Sequence, residues 1–176
     1  VQKPGVYEKP MGYPMMKLIN EDAGGLLDGI QLKAVIPGGS SCPVLTPKEC
    51  ENLTLDFEAL AAVGSMLGSG GMIVIGHNQC LVDLLKVIAD FYHHESCGQC
   101  TPCREGSGWI AKIVRQIADG KGTLRDLQLL EDICNNMAGK TICVFSDALA
   151  MPVKSFISKF RNEFEHHITH KTCNII

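Results

Sequence analysis

Glu95-Ser96-Cys97-Gly98-Gln99-Cys100-Thr101-Pro102-Cys103-Arg104 sets three cysteines in a C-x2-C-x2-C triplet. This spacing puts three thiolates along one tight loop, able to wrap a corner of a cubane. Ferredoxin-type iron–sulfur clusters take three ligands at this spacing and a fourth cysteine from elsewhere. Zinc sites draw paired ligands from two separate hooks, and only one hook is visible here. The loop therefore predicts a cluster, with a structural zinc-binding interaction domain as the rival of another class.

Working outward, the triplet sits between two helical patterns. Leu81, Leu84, Leu85, Ile88, Phe91 and Tyr92 recur at helical spacing before it; Trp109, Ile110, Ile113, Val114 and Ile117 follow it. Gly120 and Gly122 end the second helix, and Thr123 with Asp126 makes a capping box for a third. That helix carries Leu124, Leu127, Leu130, Cys134 and Met137 and closes at Gly139. A fourth begins near Ser146 or Asp147, with Val153, Phe156, Ile157, Phe160 and Phe164 on one face. These stripes are core positions first. Four helices with short connections predict a bundle over residues 80–176.

The half before Cys80 reads as mixed strand and loop. Strands are expected at Gly5–Glu8, Lys33–Ile36 and Met72–Ile75, with one or two helical turns at Met15–Glu21 ended by Gly24-Gly25. Pro37-Gly38-Gly39 stops the second strand in a sharp turn. The expected class is α+β, with a compact α+β module over residues 1–79.

Composition narrows the chemistry. The 176 residues are 45% hydrophobic and 20% charged, ordinary for a globular chain. A net charge of −3 gives no electrostatic footprint for nucleic acid or an anionic membrane. Nine cysteines, an odd number, fall below the density of a secreted disulfide scaffold, so a reducing compartment fits better. The uncharged stretch Ala59–Gly76 holds Gly64, Gly68, Gly70, Gly71 and Gly76 and makes a poor lipid-spanning helix. Neither a signal peptide nor a membrane span is expected. The start at Val1 rather than Met suggests a fragment.

Six cysteines compete for the fourth ligand position: Cys42, Cys50, Cys80, Cys134, Cys143 and Cys173. Cys143 is favoured, because the linker between the third and fourth helices returns toward the triplet in an antiparallel bundle. Cys134 lies on an apolar face, Cys173 in a frayed tail, Cys42 and Cys50 in the other module. Cys80, the nearest rival, stands a whole helix away. With Thr101 as cap and Pro102 opening the second helix, Cys103 falls in its first turn. Cys143 falls just before the fourth, so two helix N-termini favour an anionic cluster. Arg104 reads equally as a cluster-side charge or a solvated residue. His93 and His94 read as helix-end residues, and His166 and His170 as a solvated pair. Gly64–Gly71 lacks the Lys-Ser/Thr of a phosphate loop. No hydrolytic set stands out.

Glu95-Ser96-Cys97-Gly98-Gln99-Cys100-Thr101-Pro102-Cys103-Arg104-Glu105-Gly106, followed by Thr141-Ile142-Cys143, closely resembles the flavoprotein (51 kDa-type, NADH-binding) subunit of respiratory complex I, the NADH:quinone oxidoreductase family. Ala34-Val35-Ile36-Pro37-Gly38-Gly39-Ser40-Ser41, Leu55-Asp56-Phe57 and Leu67-Gly68-Ser69-Gly70-Gly71 resemble it too, in the same order. The resemblance implies a β-grasp (soluble-ligand-binding) module over residues 1–79 and a helical bundle holding one 4Fe–4S cluster through Cys97, Cys100, Cys103 and Cys143. It implies that the cluster takes electrons from FMN reduced by NADH and relays them to further iron–sulfur centres. Those would lie in other peripheral-arm subunits, notably a small 2Fe–2S thioredoxin-like subunit and a larger iron–sulfur subunit. The implied place is the cytoplasmic face of the bacterial inner membrane or the mitochondrial matrix side, as a peripheral subunit. Diaphorase subunits of NAD-linked hydrogenases and formate dehydrogenases share the pattern and stand as the alternative. The family's N-terminal half, with its FMN and NADH sites, is missing, so the chain alone is expected to relay electrons without oxidising NADH. Val144 becomes a candidate flavin wall, and Val144-Phe145-Ser146-Asp147 departs from the family's smaller Ala-Leu-Gly-Asp.

Overall fold

The computed structural model describes residues 1–173 and 175, and its class is α+β. The chain divides into two compact units, Val1–Gln79 and Cys80–Ile176.

In the first unit, β1 (Tyr13–Pro14) runs into a short helix α1 (Met15–Lys17) and a π-helical turn, Leu18–Asp22. β2 (Leu32–Ile36) precedes α2 (Pro47–Cys50), β3 (Thr54–Leu55), α3 (Phe57–Ala62) and β4 (Ile73–Gly76). The strands form two separate two-stranded antiparallel sheets, β1 with β3 and β2 with β4. Val35 lies opposite Val74 and Ile36 opposite Ile73, with an irregularity between Leu32 and Ala34. Met15, Ile19, Val35, Leu45, Cys50, Leu53 and Leu60 make the core. Gly5–Glu8, expected as a strand, forms none; its neighbours Gln2 and Lys3 donate instead to the carbonyls of Gly25 and Ala23. Local alternation proposes a strand, but a strand needs a partner edge.

Both short helices are capped by their own sequences. Thr46 and Glu49 form a reciprocal capping box on α2, with Pro47 at its start. Asp56 accepts from the Ala59 N–H at 2.7 Å and opens α3. One crossing requires glycine. A Cβ on Gly38 would lie 1.9 Å from the Leu67 carbonyl oxygen, and the Gly38 oxygen accepts from the Ser69 N–H at 3.0 Å. The two glycine-rich turns therefore pass backbone against backbone.

The second unit consists of α4 (Leu81–Glu95), α5 (Thr101–Ala118), α6 (Leu124–Met137) and α7 (Phe145–His170). Helix α4 packs on α5 and α7, and α6 packs on α5 and α7. Leu81, Leu85, Ile110, Ile117, Leu127, Phe156 and Phe164 are fully buried between them. Each such side chain contributes about 1.5–3 kcal/mol relative to remaining exposed. Gly106 lets α5 approach α6, since a Cβ there would meet the Met137 sulfur at 2.4 Å. The Thr123–Asp126 capping box forms, the Thr123 N–H reaching the carboxylate at 2.6 Å. Three stripe residues depart from the expected core: Phe91, Trp109 and Leu124 are more than half exposed. No described helix is long and apolar enough to cross a membrane.

Candidate metal centre

The triplet loop leaves α4 at Ser96 and enters α5 at Cys100, which is itself the N-cap. Thr101 is therefore the first helical residue and Pro102 the second, one position later than the sequence implied. The shift is physically mild, because proline tolerates the first turn, where no backbone donor is needed. Cys103 stays in the opening turn, mostly buried, with its Sγ 3.4 Å from the Ser96 hydroxyl.

Gly98 adopts a left-handed backbone, φ +76°, and this reverses the loop between Cys97 and Cys100. Arg104 holds the reversal in place. Its Nη1 donates to the Gly98 carbonyl at 2.9 Å while its Nε pairs with Glu105 at 2.9 Å. Of the two readings open for Arg104, neither a solvated side chain nor a bare charge is complete; it is a strut across the loop.

The second loop arrives between α6 and α7. Cys143 is exposed and immediately precedes Val144, the N-cap of α7. Thr141 shapes this loop, its hydroxyl donating to the Cys143 carbonyl at 2.7 Å and lying 2.6 Å from the Ser146 hydroxyl. The Ile142 N–H reaches the Cys100 Sγ at 3.5 Å, so the two loops touch. Cys97, Cys100, Cys103 and Cys143 line one cavity of about 170 Å³, together with Glu95, Ser96, Gln99, Thr141 and Phe145. Two helix N-termini, of α5 and α7, open onto it. Their partial positive charge suits an anionic occupant. Phe145 leans on Tyr92, ring centroids 5.2 Å apart, which seats the start of α7 against α4.

A cavity lined by four thiols, three of them from one C-x2-C-x2-C loop, suits a polynuclear cluster.

Other candidates fall away. Cys134 is fully buried on α6, its thiol pushed up to about 12 by burial, and it behaves as a small hydrophobe. Cys42 and Cys50 are buried in the first unit. His166 and His170 stack on each other, centroids 4.2 Å apart, at the exposed end of α7. His93 lies 3.4 Å from the Ser107 hydroxyl, and His94 pairs with Glu95. Cys173, expected in a frayed tail, instead sits beside Cys80 and His167. Sequence reading missed this last grouping, because separations of 87 and six residues leave no motif.

Residues 83–167 match the family described as the NADH-ubiquinone oxidoreductase-F iron-sulfur binding region. That stretch is similar to the iron–sulfur binding region of the family. Across 98% of its length it is 48% identical to an F-type NADH-quinone oxidoreductase subunit of Rhizobium meliloti, covering 41% of that protein. It is 42% identical to the corresponding subunit of Rickettsia bellii over 96% of the chain and 40% of the relative. An NAD+-reducing [NiFe]-hydrogenase in the H2-reduced state is similar in structure, with TM-score 0.85 and 31% identity. That match covers 96% of this chain and 28% of the hydrogenase chain. The chain spans about two fifths of the length of the curated relatives it matches. The matched region is named for a 4Fe–4S cluster, and the four-thiol cavity fits one by donor type and electrostatics.

Proposed function

We propose that this chain is the electron-relaying part of an NADH dehydrogenase flavoprotein subunit, holding one 4Fe–4S cluster through Cys97, Cys100, Cys103 and Cys143. The observation that carries the reading is the single cavity lined by all four thiols at the mouths of α5 and α7. Bound there, the cluster supplies one-electron transfer. The rest of the work belongs to the protein. Cys103 is anchored in a helix turn and Cys97 on a loop pinned by Arg104. Helix N-termini and the Ile142 N–H lie at the thiol edge, and hydrogen bonds to sulfur are among the levers that set a cluster's potential.

In the whole protein the electrons would come from FMN reduced by NADH and pass to iron–sulfur centres of other peripheral-arm subunits. Ile142 and Val144, both largely exposed on either side of Cys143, are the apolar surface we assign to the flavin side. The finer architecture that goes with this reading is a β-grasp-like module over residues 1–79 and a four-helix bundle over residues 80–176. A peripheral position at the membrane's cytoplasmic or matrix face belongs to the same proposal. The hydrogenase likeness favours a second reading, the diaphorase subunit of an NAD-linked hydrogenase. The higher identity to the quinone oxidoreductase relatives places it second. Subunits that co-purify with the native protein separate the two.

The direct test is anaerobic purification with the thiols reduced. The chain should be brown, carry about four irons, and give an EPR signal on reduction. Cys143→Ser is expected to abolish the cluster, whereas Cys80→Ser leaves iron and spectrum unchanged. Colourless protein whose metal is one zinc lost in Cys97→Ser sinks the proposal.

A further inference from the structure

A second group of metal-binding atoms stands apart from the cysteine loop. The Cys80 Sγ lies 3.2 Å from the His167 Nε2. With the Cys173 thiol, these ligand atoms all fall within 4.8 Å of one another. They come from three places in the second unit: the N-cap of α4, the last turns of α7, and the segment after it. Helix α4 separates them from the cluster loop; its fifteen residues span about 22 Å.

We propose that Cys80, His167 and Cys173 form a second metal site, which binds one zinc ion. Three observations support it independently of the cluster. The first is donor chemistry: two thiols and an imidazole are the ligand types zinc selects, and Cys2His with an open fourth position is an established zinc set. The second is distance. Tetrahedral zinc needs sulfur and nitrogen donors about 3.3–3.8 Å apart, and the trio is already gathered to nearly that spacing. The third is an unmet polar atom. His167 is only 2% exposed, and its Nδ1 is buried with no well-formed hydrogen bond. A buried imidazole with one ring nitrogen facing a thiol and the other unmet is costly as a plain core residue. Zinc on Nε2 would fix the tautomer with the proton on Nδ1.

Charge balance agrees. As the ion binds, both thiols release their protons to solvent, and two thiolates neutralise the two charges of Zn2+. The site then enters a partly buried pocket with no net charge. The surroundings are built to hold its ligands. The buried Glu163 carboxylate accepts from the Leu81 N–H at 2.7 Å, tying α7 to the residue after Cys80. The Asp83 N–H points to the Cys80 Sγ at 3.4 Å, an outer contact of the kind that orients a thiolate. The zinc would tie the two ends of a 94-residue stretch, which limits the unfolded chain most where the loop is longest. With its fourth position left to water, the ion would tie down the end of α4 opposite to the cluster loop.

The test uses the full chain with its cluster loaded, so that iron occupies the triplet loop. The chain is incubated with zinc alone in the presence of a phosphine reductant and freed of loose metal by gel filtration. Metal analysis should give about one zinc beside four irons, and zinc-edge X-ray absorption should show two sulfurs and at least one nitrogen. Cys173→Ser, His167→Asn and Cys80→Ser should each weaken zinc retention by more than about tenfold, since even outer contacts are worth that much. Iron content should stay unchanged. Cys173 lies outside the helices, so its substitution separates loss of metal from loss of fold, and far-UV circular dichroism checks this. A second arm stands even if no cluster forms. In Cys97→Ser/Cys100→Ser/Cys103→Ser/Cys143→Ser, cobalt(II) should still give thiolate charge-transfer and tetrahedral bands, lost on adding Cys173→Ser. Absence of retained zinc, or zinc and cobalt binding indifferent to Cys80, His167 and Cys173, overturns the proposal.

Discussion

At Gly38 a hydrogen atom stands where any other side chain would strike backbone. The Leu67 carbonyl is 1.9 Å from the ideal Cβ position, and a Cβ added to Gly68 on the other side would lie 2.2 Å from the Gly38 oxygen. Neither neighbour is the free end of a flexible side chain, so relief requires moving two turns. Gly38→Ala is therefore expected to destabilise the first unit by several kcal/mol, at or beyond the upper end for overpacking, about 3 kcal/mol. Gly5→Ala is the control, since nothing lies closer than 3.9 Å to its added methyl. Urea unfolding of both variants checks this, and equal midpoints would contradict the crossing. Arg104 teaches the same lesson in another way. Its identity in the sequence left charge and solvation equally open, and only its reach back to the Gly98 carbonyl assigns it a task.

Among the elements, the capped helices were the easiest to read, because a cap is satisfied within four residues. Thr123 with Asp126 is the clearest case. Asp56 shows what such a cap implies for pH. Its carboxyl is held below the usual carboxylate range, first by the Thr54 hydroxyl at 2.6 Å and then by the Ala59 N–H. A depressed folded pKa means that the stabilisation is present above the ordinary value of about 3.9 and is lost as pH falls through the lower folded value. The melting temperature of the wild type should accordingly fall more steeply below about pH 4 than that of Asp56→Asn, whose amide caps without titrating. Parallel curves would remove Asp56 from the acid response. Short strands were harder. Lys33–Ile36 and Met72–Ile75 were read to within a residue, yet Gly5–Glu8 looked equally extended and found no partner. The amphipathic stripes shared this limit: Phe91 and Trp109 keep helical spacing but face outward, because periodicity names a face without saying how wide its neighbour is.

For the whole molecule, everything proposed to hold the cluster lies in the second unit, Cys80–Ile176. That unit alone, expressed from residue 80, is expected to fold and take up about four irons with the same EPR signal as the full chain. A fragment that folds, by circular dichroism, yet binds no iron would show that the first unit contributes to the site. The triplet itself was legible in the sequence because its three thiols are neighbours along one loop. Thr101 and Pro102 announced the start of α5 for the same local reason, within one residue. What the sequence by itself determined was thus whatever is settled inside a few residues: caps, helix spans, the triplet and the chemistry its thiols prefer. Only the tertiary structure brought Cys143 to the triplet's cavity from forty residues away, and Cys80 to His167 and Cys173 from 87 and more. Those meetings depend on how α4 to α7 stack, a balance of buried side chains spread over the whole unit. No short stretch of sequence records it.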